Sequence, residues 1–183
     1  MSEKLKFEFA EKFVEALGGR AWEWGIISTS DIVFSPELRK ACEQNVCGSY
    51  NKNWGCPPGN GTLEELMKKV LAFPKAIVFT TKYNLEDSFD FDGMKEGGRI
   101  HKDLTLEMQA RFGKTNPVLG AGCCEVCPKC SFPEPCRFPE KRVIAVEAAG
   151  ISVGELSRTA KVKYNNGEST VTYFSMVLFE ERD

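Results

Sequence analysis

The chain has 183 residues, with 24 Lys plus Arg against 26 Asp plus Glu, a formal net charge of −2, and 42% hydrophobic and 27% charged residues. This balance excludes a globally disordered chain and the basic footprint of a nucleic-acid-binding domain. No apolar run approaches the roughly 20 residues of a membrane-spanning helix. The opening run MSEKLKFEFAEKF lacks a signal-peptide core, so the expected location is cytoplasmic, with no membrane or nucleic-acid partner.

In chain order, Phe9, Ala10, Phe13, Val14 and Leu17 recur at helical spacing, and Gly18-Gly19 ends the run. Trp22 to Ile27 reads as a short strand. Ser35-Pro36 reads as an N-cap followed by Pro in the first turn, leading into ELRKACEQ, a helix that carries Cys42. Residues 47–61, CGSYNKNWGCPPGNG, read as a loop by their Gly, Pro and Asn content. Thr62 and Glu65 form a capping box for a helix with Leu63, Leu66, Met67, Val70 and Leu71, stopped by Phe73-Pro74. Ala76 to Thr81 is an apolar, β-branched run expected to be a buried strand. Asn84 to Gly98 reads as an acidic loop, and Arg99 to Phe112 as a helix closed by Gly113. A Cys-rich loop runs to about Pro139. Val143 to Ala149 is open between helix and strand. Ser152 and Glu155 mark another capping box, and Asn166-Gly167 between VKY and STVTYFSMVLFE signals a β-hairpin.

The expected fold class is α+β, a mixed arrangement in one compact domain over 1–183. A small β-sheet has flanking helices and two long Cys-rich loops, at about 42–61 and 114–139, around a metal centre. Long loops inside a compact domain are usually functional or bound to something.

Eight cysteines, Cys42, Cys47, Cys56, Cys123, Cys124, Cys127, Cys130 and Cys136, carry the chemistry. A chain this long buries its own core and needs no disulfide staples, so clustered cysteines point to metal or redox chemistry. Cys124, Cys127 and Cys130 form a C-x2-C-x2-C triple, with Cys136 five residues further on. Three thiolates within one short run suit the separate iron corners of a [4Fe-4S] cluster, whereas a single tetrahedral zinc more often takes two C-x2-C pairs set well apart. Cys136 completes the set in the favoured reading. Cys56, followed by Pro57-Pro58, is the alternative fourth ligand. Cys47 and Cys56 either anchor the loop or lie at the cluster, one as ligand and the other nearby, with a second centre also open; zinc is the alternative metal. Cys123 reads as a spare buried thiol and Cys42 as a core residue. Lys129, Arg137, Lys141 and Arg142 surround the motif and offset its negative charge. His101 is the only histidine, and GGRIH (Gly97 to His101) places two glycines and an arginine where an anion binds if a helix starts there.

The segments CGSYNKNWGCPP, AGCCEVCPKC, PCRFP and VEAAGISV…VTYFSMVLF together resemble the domain of unknown function 2284 family, described as predicted metal-binding proteins of archaea and anaerobic bacteria. The resemblance runs from about Cys42 to Phe179. It implies that Cys47, Cys56, Cys124, Cys127, Cys130 and Cys136 are metal-associated, that Cys42 and Cys123 are extras, and that the setting is anaerobic. It implies no reaction.

Three functions follow as expectations. The first is an iron-sulfur protein that passes electrons to a redox partner protein in an anaerobic pathway. The second is an enzyme whose open cluster iron acts as a Lewis acid on a small-molecule substrate, with Cys47, Cys56, Tyr50, Arg99 and His101 on the pocket wall. The third is a zinc-stabilised binding module.

Overall fold

A computed structural model of the chain describes residues 7–181. The termini, including most of the MSEKLKF run, lie outside the described residues. The elements are α1 (Glu8–Leu17), β1 (Trp24–Ser28), α2 (Pro36–Glu43), α3 (Leu63–Leu71), β2 (Lys75–Asn84), α4 (Phe91–Phe112), β3 (Val118–Gly120), β4 (Ile144–Ala145), α5 (Val153–Ala160) and β5 (Thr170–Phe179). The sheet order is β1-β2-β5-β3-β4. All neighbours are antiparallel except β3 and β4, which are parallel. The domain is α+β, as expected. No helix among the described residues is long and apolar enough to cross a membrane.

Helices cover both faces of the sheet, and the side-chain alternation of the central strands sorts the core in two. Ala76 and Val78 of β2 and Met176 and Leu178 of β5 face Leu66 and Val70 of α3 and Leu156 and Ala160 of α5. Ile77, Phe79, Val177 and Phe179 point the other way, to Phe13 and Leu17 of α1 and Leu104 and Met108 of α4. Burial on both sides explains why β2 reads as an unbroken apolar run rather than an alternating one. Each large apolar side chain so buried contributes about 1.5–3 kcal/mol.

Most local signals hold. Gly18 ends α1 in the left-handed conformation, and Thr62 and Glu65 form the complete capping box of α3. Ser152 accepts the Glu155 N–H at the start of α5. Ser35 stands at the N-cap of α2, but its hydroxyl bonds the Glu37 carboxylate rather than a backbone N–H. Residues 143–149 resolve into the two-residue β4 and a 3-10 turn at Glu147–Ala149.

Two expectations are corrected. Residues 84–98 are not wholly a loop: α4 starts at Phe91, with Asp90 Oδ1 accepting the Gly93 N–H at 2.8 Å. Gly97 and Gly98 therefore sit inside a 22-residue helix, and the anion site expected from a helix start at GGRIH does not form. Glycine normally weakens a helix by about 1 kcal/mol. Here the helix lies so close to β2 that a Cβ on Gly97 would fall 2.6 Å from the Tyr83 ring. The hairpin at Asn166-Gly167 is also absent. β5 pairs along its whole length with β2 and near its end with β3, and the VKY segment joins no ladder. The Asn-Gly pair instead makes a turn into β5. Asn166 bonds the Thr172 hydroxyl at 2.9 Å and accepts the Trp22 indole N–H at 2.9 Å.

Candidate metal centre

The two Cys-rich segments interlock. Parallel strands need a long crossover connection, usually a helix. The crossover from β3 to β4, residues 121–143, contains no α-helix, only bends, turns and a 3-10 turn at Pro139–Lys141. It holds Cys123, Cys124, Cys127, Cys130 and Cys136, all half-buried free thiols. The 44–62 segment between α2 and α3 brings Cys47 and Cys56, and α2 brings Cys42.

Three consecutive residues, Asn53, Trp54 and Gly55, lock the loops together. Asn53 Nδ2 donates to the Cys124 carbonyl at 2.8 Å, and its Oδ1 accepts the Gly55 N–H at 2.8 Å. Gly55 packs against Cys124 so closely that a Cβ there would lie 2.8 Å from Cys124 Cβ and 2.5 Å from the Val143 carbonyl. Trp54 reaches over the far end, edge-on to Phe132 with ring centroids 5.0 Å apart, and its indole N–H donates to the Glu134 carbonyl at 2.8 Å. The Trp54 backbone N–H points at Cys130 Sγ, 3.5 Å away.

Within the crossover, two rungs hold the chain folded back on itself. The Arg137 guanidinium donates to the Lys129 carbonyl. The Ser131 hydroxyl donates to the Pro135 carbonyl at 2.9 Å. Both are side-chain bonds to a carbonyl, and they tie the 129–131 stretch, which carries Cys130, to the 135–137 stretch, which carries Cys136.

Arg39 anchors the first loop from α2. Its guanidinium donates to Asn60 Oδ1 at 2.9 Å, the Ala148 carbonyl at 2.7 Å and the Gly61 carbonyl at 2.6 Å. Asn60, 2% exposed, also donates toward the Gly55 and Ala148 carbonyls. Sequence reasoning counted Asn53 and Asn60 only as turn-forming composition and missed Arg39. Their roles depend on distant partners, 71 residues away for Asn53 and Cys124 and 109 for Arg39 and Ala148, which spacing does not reveal.

Cys56 is the one buried thiol, at 7% exposure. Burial pushes its pKa up to about 12, with smaller contributions from the charges of Cys123, Cys47, Cys42 and Cys124. Burial likewise raises Cys42, partly offset by Arg39. Without a cation these thiols stay protonated. A soft metal supplies the charge that removes the protons, so the donor set fits a thiolate-bound metal. Among the described residues, no three Cys, His, Asp or Glu side chains converge tightly enough to surround a single ion.

The remaining residues of the sequence reading divide. Arg99, paired with Glu96 and Asp103, lines a cleft of about 480 Å³ with Lys95, Lys102, Gly122 and Glu125, next to the Cys-rich crossover. Lys102, which sequence reasoning did not single out, pairs with Glu125 at 2.5 Å. His101 does not line that cleft. It is fully buried between α4 and the sheet, with one ring nitrogen 2.8 Å from the Thr81 hydroxyl and the other 2.8 Å from the Ser175 hydroxyl. Tyr50 is half-buried, its backbone N–H held by Asn45 Oδ1 at 3.0 Å. Of the four cations near the motif, Arg137 holds the crossover, Lys141 lies over the Phe138 ring and Arg142 lines an apolar cavity of about 380 Å³ between α3 and β4.

The model of the DUF2284 family, predicted metal-binding proteins, matches residues 25–179. The chain belongs to that family. No curated protein and no solved structure matches it.

Proposed function

We propose that this metal-binding protein is an iron-sulfur protein. In this reading Cys124, Cys127, Cys130 and Cys136 hold one [4Fe-4S] cluster, and its role is electron transfer with a partner protein in an anaerobic pathway in the cytoplasm. The observation that carries the reading is the pair of rungs flanking Cys130 and Cys136. They tie the stretch that carries the late fourth cysteine to the stretch that carries the last member of the triple, and this supports Cys136 over Cys56 as fourth ligand. A bound cluster supplies one-electron chemistry. The chain's own groups do the rest. The Trp54 N–H aimed at Cys130 offsets negative charge on that sulfur and raises the potential. Trp54 and Phe132 cover this end from water, and the 47–61 loop closes over Cys124.

The test is iron, zinc and sulfide analysis of anaerobically purified protein, with its visible spectrum. Iron and sulfide in equal amounts, lost together with the colour in Cys127→Ser, support the reading. Zinc without sulfide replaces it with a zinc-stabilised module.

The cleft beside the crossover favours one second reading, an enzyme acting on a small substrate at an open cluster iron. Lys95, Arg99 and Lys102 on its wall suit an anionic substrate, although each is already ion-paired. A change in the reduced protein's spectrum on adding small carboxylates supports this reading, and indifference to all of them favours electron transfer.

A further inference from the structure

No cysteine lines the cavity of about 380 Å³ beside Arg142, so the proposed metal chemistry leaves it unused. Its walls are mostly apolar. Leu66 and Val70 come from α3, Leu119 from β3, Ile144 from β4 and Leu178 from β5. Four of these belong to the core cluster on the α3 side of the sheet and Ile144 packs against it, so the cavity cuts into that core. Its volume equals that of about a dozen waters and falls within the roughly 300–1,000 Å³ of small-ligand sites. Water held against apolar walls makes few hydrogen bonds, and an apolar group that displaces it gains affinity.

The charged residues of the lining are Lys69, Glu140 and Arg142. Arg142 is half-buried, and among the described residues its guanidinium has no hydrogen-bond or ion-pair partner. Lys69 is exposed and stands one turn after Glu65 on α3. Gln109 also reaches the cavity, but its carboxamide is bonded at both ends, Nε2 to the Glu140 carbonyl at 3.0 Å and Oε1 to the Val118 N–H at 3.1 Å. Arg142 is therefore the lining group with unspent donors, set in a planar fork that matches a carboxylate. Two cations against one carboxylate leave a single positive charge, which suits a monoanion. We propose that this cavity binds a small monocarboxylate whose apolar body, of about ten non-hydrogen atoms, packs on Leu66, Leu119 and Ile144 and whose head pairs with Arg142. The site is separate from the cleft at Lys95, Arg99 and Lys102, whose cations are already ion-paired, and it does not rest on the identity of the metal.

The test is calorimetric titration of anaerobically purified, metal-loaded protein with hydrocinnamate, with its neutral amide and with acetate. The expected result is one hydrocinnamate per chain. The amide keeps the apolar body without the charge, and acetate keeps the charge without the body, so each should bind at least about tenfold more weakly. Arg142→Met keeps an apolar stem and loses the guanidinium. It is expected to weaken hydrocinnamate about ten- to a hundredfold and to leave the amide unchanged. Ile144→Phe fills the cavity and should remove binding of both. Lys102→Met, in the other cleft, should bind hydrocinnamate as wild type does. Hydrogen exchange on wild type keeps the test independent of variant folding, with hydrocinnamate expected to protect amides of residues 66–73 and 139–145. Absence of binding to wild type at millimolar concentration overturns the proposal, as does equal affinity in Arg142→Met or protection at 98–102 and 122–125 instead. Concentration-dependent self-association that Ile144→Phe abolishes also overturns it, because the cavity then seats a second copy of the chain.

Discussion

The backbone N–H of Trp54 meets the sulfur of Cys130 at 3.5 Å, across 76 residues of chain. The same residue spends its indole N–H on the Glu134 carbonyl and its ring on Phe132. Trp54 is thus the latch between a loop with no regular structure and a crossover with almost none. Trp54→Ala removes both side-chain contacts and is expected to cost about 2–3 kcal/mol. Trp54→Phe keeps a ring against Phe132 and loses one hydrogen bond, about 1 kcal/mol. The rate of metal loss to a chelator should rank alanine well above phenylalanine, with wild type slowest.

Gly55 tolerates no side chain. The nearest atoms to a Cβ there are the Val143 carbonyl, Cys124 Cβ and the Cys124 nitrogen, at 2.5, 2.8 and 3.0 Å. None is the free end of a flexible side chain, so the loops must part. Gly55→Ala is expected to destabilise by about 2 kcal/mol or more and to lower bound metal per chain. Denaturant midpoints and metal analysis check both.

Arg39 makes three hydrogen bonds, two that fasten α2 to the 47–61 loop and one to the Ala148 carbonyl. Bonds to a charged donor contribute about 1.5–3 kcal/mol each but are not additive, so Arg39→Ala is expected to cost about 2–4 kcal/mol. Proteolysis should then cut first within 44–61, while α4 and the sheet stay protected.

Burial depresses the pKa of His101 from 6.5 to about 4, so the folded protein holds the ring neutral. Between these values the unfolded chain binds a proton that the folded one refuses. Stability is therefore full above pH 6.5 and falls as pH drops toward 4, by about 1.4 kcal/mol per unit. From pH 6.5 to 5 wild type should lose about 1.5–2 kcal/mol in urea titrations. His101→Gln should be nearly flat over that interval, and an equal loss in the variant would show that other groups are responsible.

Metal removal should loosen the loops and leave the sheet. Of the eight cysteines only Cys56 is buried, and none belongs to the two apolar clusters on the sheet faces. Chelation under reducing conditions is expected to leave far-ultraviolet circular dichroism nearly unchanged while amides of residues 44–61 and 121–142 exchange faster. Global unfolding on chelation would contradict it.

The sequence by itself determined the α+β class, the helices α1, α3 and α5, the buried strand β2 and the two Cys-rich loops. These follow from local rules: periodicity of apolar residues, caps, and glycine and proline at chain reversals. It also supplied the donor chemistry, because a run of thiols at C-x2-C-x2-C spacing has few other uses. Tertiary structure decided everything that depends on which surface a residue meets. Gly97 continues α4 because Tyr83 leaves no room for a side chain, so a residue that reads as a loop signal becomes a packing requirement. Asn166-Gly167 makes no hairpin; Asn166 instead bonds the Thr172 hydroxyl and the Trp22 indole. The docking of Asn53, Trp54 and Gly55 against the crossover, and of Arg39 against Asn60, Gly61 and Ala148, rests on contacts between segments far apart in sequence. Spacing along the chain carries no trace of them, since the distance between two thiols is set by how the loops dock and not by how many residues separate them.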